Sequence, residues 1–281
     1  MQDLKEQATD KEFLRSIADN NYEIPDYINC FSFANALLSN LASPDGELRD
    51  ELSYMMLASG IIDKQKLTVG QLEELLQTSL DKNHLFYRIG EMDTDSVFMR
   101  SFSNLIIAAI LYSNSRNPVV SERAIRQAKE ALLRYARQER DWRGYVEGKG
   151  WAHAMAHLAD ALDECAQSPG MTENDRRDIL EAVCELAKLP EPLYHEEDVR
   201  LSIVPYHIIL GKQVDDDFLN EWVDACFVAR DAEVISWTRA TNVKNFLRSL
   251  YFLLTWDAIA PVLAEQISKV LQRQDEVYVQ K

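Results

Sequence analysis

The chain has 281 residues, with 46 acidic against 30 basic side chains and a formal charge of −16 with histidine neutral. That balance argues against nucleic-acid binding and against docking on an anionic membrane, because both need a positive surface field. An apolar share of 47% beside 27% charge belongs to a folded chain. Nine glycines and eight prolines are too few for a turn-rich sandwich or barrel.

The opening residues MQDLKEQATDKEF are polar and charged, so no secretory signal is expected there. Thr9 with Glu12, and Thr68 with Gln71, have capping-box spacing, in which side chain and backbone satisfy each other's orphan groups at a helix start. Ser43 before Pro44 fits an N-cap with proline at the first helical position. The longest uncharged run covers residues 101–115. A membrane span takes about 20 apolar residues, so this run predicts a buried helix. After Ser121, the apolar positions Ile125, Ala128, Leu132 and Ala136 recur at helical steps. Arg123, Arg126, Glu130, Arg134 and Arg137 fall on the other face, which reads as a solvated charged surface. Further helices are predicted over residues 172–189, 199–210, 216–230, 242–256 and 261–273, with Pro205 kinking or restarting the second of these. No run alternates with a two-residue period, so the predicted class is all-α.

A faint repeat accompanies the helices. An acid followed by arginine precedes an apolar helix at Asp45/Arg49, Asp95/Arg100, Asp141/Arg143 and Asp198/Arg200. The spacing is irregular but close to the about 40–47 residues of a HEAT-type hairpin. The acid complements the helix dipole and the arginine bridges to a neighbouring unit. An α-α superhelix of HEAT-like helical repeats follows, read as a single domain over residues 1–281. Cys30, Cys165, Cys184 and Cys226 form no C-x-x-C pair and have no regular spacing. They read as small core residues of a reduced cytoplasmic protein, not as a disulfide framework or a zinc cluster.

The most unusual block runs from Glu139 to Asp160. If residues 151–166 are helical, His153, His157, Asp160 and Glu164 share one face. Two imidazoles at i and i+4 can hold one divalent metal, with Asp160 as third ligand. The residue after the first histidine is Ala154, where a zincin helix has its glutamate base. The alternative is that both histidines make hydrogen bonds that lock the helices together. Asp141 and Arg143 supply polar walls, and Trp151, with Trp142 and Tyr145, an aromatic one. Gly144, Gly148 and Gly150 fit neither phosphate-binding fingerprint and predict a tight loop before the helix. No serine nucleophile elbow is present.

The segments Asp95-Ser-Val-Phe-Met-Arg-Ser-Phe102, Arg143-Gly-Tyr145, Gly150-Trp-Ala-His-Ala-Met-Ala-His157 and Glu197-Asp-Val-Arg200 resemble the signature blocks of a bacterial family known as domain of unknown function 2785. The resemblance covers about residues 37–254. It implies an all-helical, HEAT-like protein and carries no activity, substrate or catalytic residue with it. The residues therefore lead to two expectations. The first is a non-catalytic helical-repeat binding or scaffold protein with a protein or peptide partner and no resident cofactor. The second is a metal- or small-ligand-binding protein, with hydrolysis as its candidate activity and its site at Asp141, Arg143, Trp151, His153, His157 and Asp160. In that second reading His153, His157 and Asp160 hold a divalent metal.

Overall fold

A computed structural model describes residues 4–279. Among the described residues the only regular structure besides helix is one hairpin of two two-residue strands, so the protein is all-α. The chain divides into two compact units, one ending at Gly170 and one beginning at Met171.

The first unit opens with α1 (Leu4–Thr9) and α2 (Lys11–Asp19). Thr9 closes α1, and the N-cap of α2 is Asp10, whose carboxylate accepts from the backbone N–H groups of Glu12 and Phe13 at 3.0 and 3.1 Å. The predicted cap was one residue early because aspartate, with two acceptor oxygens, outcompetes the threonine beside it. After α3 (Cys30–Leu38) and one 3-10 turn (Ser39–Ala42), the chain enters an unusual π-helical stretch, Glu47–Tyr54 and Met56–Ile62. Its i→i−5 bonds include Met55 N–H to the Asp50 carbonyl, and Asp63 N–H to that of Ala58 at 2.8 Å. The cap here is also displaced: Ser43 Oγ accepts from Asp45 N–H, and Asp45 in turn accepts from Glu47 and Leu48. Lys11 bridges Asp45 and Glu47 at 2.5 and 2.7 Å, tying α2 to this stretch.

Next come α4 (Val69–Ser79), where the Thr68–Gln71 capping box forms, and α5 (Ser96–Arg116). By length and composition α5 resembles a membrane span, but 89% of its most apolar window is buried, with Phe98, Phe102, Ile106, Ile107 and Ile110 fully enclosed. It is the core helix of the unit and packs on the π stretch, α4, α6 (Glu122–Gln138) and, most extensively, α7 (Ala154–Gln167). Ser121 caps α6, whose arginines at 123, 126, 134 and 137 face solvent. Between α6 and α7 the chain forms an antiparallel hairpin, β1 (Tyr145–Val146) with β2 (Gly150–Trp151). Gly148 and Gly150 take φ of +70° and +82°, the left-handed region where glycine carries no steric cost.

The second unit contains α8 (Glu173–Ala187), α9 (Glu197–Leu210), α10 (Asp216–Ala225), α11 (Val234–Trp256) and α12 (Pro261–Val279). Its core is built from Leu180, Val183, Leu201, Val204, Val223, Phe246 and Leu250. Three boundaries differ from the periodicity by more than two residues; one is the end of α12, which runs six residues past the expected 273. α10 stops five residues short of the expectation because Gln274 on α12 captures the following segment, accepting from Val228 N–H and donating to its carbonyl at 2.8 Å. α11 begins eight residues early, where Asp231 and Ser236 fix the turn at its N-terminus, and its first residues, Val234 and Ile235, are exposed. Pro205 sits inside a continuous α9, so no restart occurs there.

Candidate functional site

Three arginines organise the central block of the first unit. Arg100, on α5, is fully buried and grips Glu139, at the end of α6, through Nε–Oε2 at 2.6 Å and Nη2–Oε1 at 3.0 Å. Its other donors reach Ser96 Oγ and the carbonyls of Tyr87 and Glu91. Glu139 also accepts from the backbone N–H groups of Arg140 and Asp141 at 2.8 and 2.9 Å. Asp141 makes a bidentate pair with Arg143, both contacts 2.7 Å, and accepts from Asp93 N–H. That bond to Asp141 raises the Arg143 guanidinium above its ordinary range, with burial opposing. Arg143 continues to the Thr94 carbonyl at 2.8 Å.

Arg49, from the π stretch, has no carboxylate partner at salt-bridge distance among the described residues. It lies 3.9 Å over the Phe98 ring and donates to the carbonyls of Ser43, Lys149 and Trp151. Burial pulls its pKa down to about 10, which leaves it a cation at neutral pH. These arginines therefore pin the hairpin and its flanking loops to α5 and the π stretch. The carboxylates of Glu139 and Asp141 are taken up by charge-assisted hydrogen bonds, the geometry of a structural clamp rather than of a general base.

Only one of the two histidines lies within a helix. Trp151 lies in β2, and α7 begins only at Ala154, so the expected helix over residues 151–166 is shorter than its periodicity implied. His153 is the N-cap residue, held in the left-handed conformation with φ 46° and ψ 39°. Its N–H bonds the Gly144 carbonyl at 3.0 Å, and its ring stacks on Trp151 at 4.0 Å, which in turn meets Tyr145 edge-on at 5.0 Å. His157 is buried in α7 against Phe102, with Nδ1 2.7 Å from Ser101 Oγ. The Ser101 hydroxyl donates to the Ala152 carbonyl, so His157 Nδ1–H is the donor to that oxygen. The two imidazoles meet edge to face with centroids 5.8 Å apart. Among the described residues no group of three or more His, Cys, Asp or Glu is arranged to hold a metal ion.

Asp160 opens instead into a groove of about 450 Å³ in the first unit, which sequence reasoning missed. One wall is the π stretch with Tyr54, Ala58 and Ser59, and another is α5 with Leu105, Ala109 and Tyr112. α7 contributes Asp160, Asp163 and Glu164, and Asp63 pairs with Arg116 at 2.7 Å across the lining. Four carboxylates and one guanidinium thus line the cleft, together with two tyrosines. π-helical turns are rare and are frequently found at functional sites. The only advance signal was Asp160 and Glu164 at i and i+4 on the helix that became α7.

Asp141 and Arg143 are thus together in one clamp, and Trp151, His153 and His157 in one aromatic cluster. The protein belongs to the family described as protein of unknown function (DUF2785), whose model matches residues 85–252. No curated protein and no solved structure matches the chain.

Proposed function

From membership of a family that brings no activity with it, we propose that this chain is a non-catalytic binding protein of the bacterial cytoplasm. Its paired helices form a HEAT-like scaffold, and the groove of the first unit receives a basic segment of a protein partner. The observation that carries this reading is the lining of that groove: Asp63, Asp160, Asp163 and Glu164 share it with one arginine, Arg116, and with Tyr54 and Tyr112. Carboxylates in a concave, partly desolvated surface attract lysine and arginine, and tyrosine faces add cation–π contact. The clamps around Glu139 and Asp141 support a structural role for the central block, since their carboxylates are engaged by Arg100 and Arg143.

The test is a titration of short fluorescent peptides matched in length but rich in Lys/Arg, in Ser/Asn or in Asp/Glu, at two ionic strengths. The basic peptide binds, weakens as salt rises, and loses most of its affinity in the doubly neutralised variant Asp160→Asn/Glu164→Gln. Equal binding by wild type and variant would mean diffuse attraction to a chain of −16 and would overturn the assignment.

A further inference from the structure

In the second unit two cysteines 42 positions apart in sequence meet in the core. Cys184, on α8, and Cys226, the residue that closes α10, stand with their sulfurs 2.9 Å apart. Both are free thiols. A disulfide bond is about 2.05 Å long, so joining them asks the sulfurs to close by about 1 Å. Their frame is fixed one turn upstream on both helices, where Trp222 Nε1 donates to the Leu180 carbonyl at 2.7 Å. Trp222 precedes Cys226 by four residues, as Leu180 precedes Cys184, so the same helix–helix contact sets the register of the pair.

The two sulfurs are not equivalent. Cys226 is fully enclosed, while Cys184 retains 3% exposure. The hydrogen bond from Cys226 holds the Cys184 thiol below its ordinary range against the opposing effect of burial, and the nearby Lys188 ammonium adds to the lowering. The same bond and burial push Cys226 well above its range. One nucleophilic and one resolving sulfur is the division of labour of a redox-active dithiol.

We propose that Cys184 and Cys226 form a hydroperoxide-sensitive dithiol site. The Cys184 thiolate attacks the terminal oxygen of a hydroperoxide, an S–O bond forms as the O–O bond breaks, and the alkoxide or hydroxide leaves with a proton. Cys226 sulfur then attacks the sulfenic sulfur, the S–O bond breaks, and hydroxide leaves as water with the Cys226 proton. Two thiols and one hydroperoxide give one disulfide, one alcohol (or water) and one water, the two electrons passing from sulfur to peroxide oxygen. The disulfide staples α8 to the end of α10 and encloses α9 in the loop.

The full-length chain is exposed to graded hydrogen peroxide, unfolded, alkylated, digested and mapped by mass spectrometry, with thermal melting in parallel. The expected product is a peptide cross-linking Cys184 to Cys226, formed before Cys30 or Cys165 is modified, with a higher melting temperature that dithiothreitol reverses. In Cys226→Ala the reaction stops at a sulfenic acid on Cys184, captured by dimedone. If that variant fails to fold, the wild-type map alone decides. Oxidation that begins at the half-exposed Cys30 while Cys184 and Cys226 stay alkylatable would overturn the proposal.

Discussion

Truncating Glu139 to alanine should be among the most damaging single changes in the first unit. The carboxylate receives four hydrogen bonds, from Arg100 Nε and Nη2 and from the backbone of Arg140 and Asp141. Both it and Arg100 are fully buried. Removing one partner of a buried pair leaves an uncompensated charge and costs about 3–5 kcal/mol. Arg100 would keep neutral acceptors on Tyr87, Glu91 and Ser96, which places the loss toward the lower end, about 3 kcal/mol. Replacing both residues, as Arg100→Met/Glu139→Leu, removes the stranded cation, so it should cost less than Glu139→Ala alone. It should still cost about 1–3 kcal/mol, because the Arg140 and Asp141 N–H groups lose their acceptor. The assay is hydrogen exchange across α5 and α6, which reads the first unit separately where a whole-chain melt of two units would not be two-state. A loss below about 1 kcal/mol for Glu139→Ala, or a double variant worse than the single, would refute the account of this clamp.

Gly60→Ala should destabilise the π stretch by about 1–3 kcal/mol, since a Cβ there lies 2.9 Å from the Tyr22 carbonyl oxygen, which is backbone and cannot swing away; hydrogen exchange across the stretch gives the value. His157→Ala and Ser101→Ala should each lower the melting temperature through loss of the bond between α5 and α7, and elemental analysis of the untagged protein should show no stoichiometric zinc, manganese or iron that the His157 variant lacks. Asp45 and Glu47 are held below the ordinary carboxylate range, chiefly by their side-chain bonds to Lys11. Groups with depressed folded values stabilise above their unfolded pKa and lose that contribution as pH falls through the folded one. Acidification below the ordinary carboxylate range should therefore release α2 before the core of the unit, as faster exchange of its amides measured at matched intrinsic rate.

The all-α class was legible because 3.6-residue periodicity and cap residues are local: Thr68, Ser121 and Thr172 each cap the helix that follows them. At the end of α10 a nonlocal contact decided. Gln274 ended α10 early from 46 residues away in sequence, bonding Val228 on both its polar groups. The helix that carries His157 starts late for a local reason that periodicity cannot register. The apolar pattern continues back to Trp151, but positive φ at Gly148, Gly150 and His153 turns the chain into a hairpin and starts the helix at Ala154. The groove and the cysteine pair depend on which helices become neighbours, and a 42-residue separation carries no sign of a 2.9 Å sulfur contact. The acid–arginine pattern did mark residues that matter: Arg49, Arg100 and Arg143 tie distant segments of the first unit together.

The claim that the groove selects a basic partner is tested most directly by reversing its charge. In Asp160→Lys/Glu164→Lys, two of the four lining carboxylates become cations, and the preference among length-matched peptides should swing from the Lys/Arg-rich sequence to the Asp/Glu-rich one at moderate salt. An unchanged ranking, with the basic peptide still bound as tightly as by the wild type, would contradict the account.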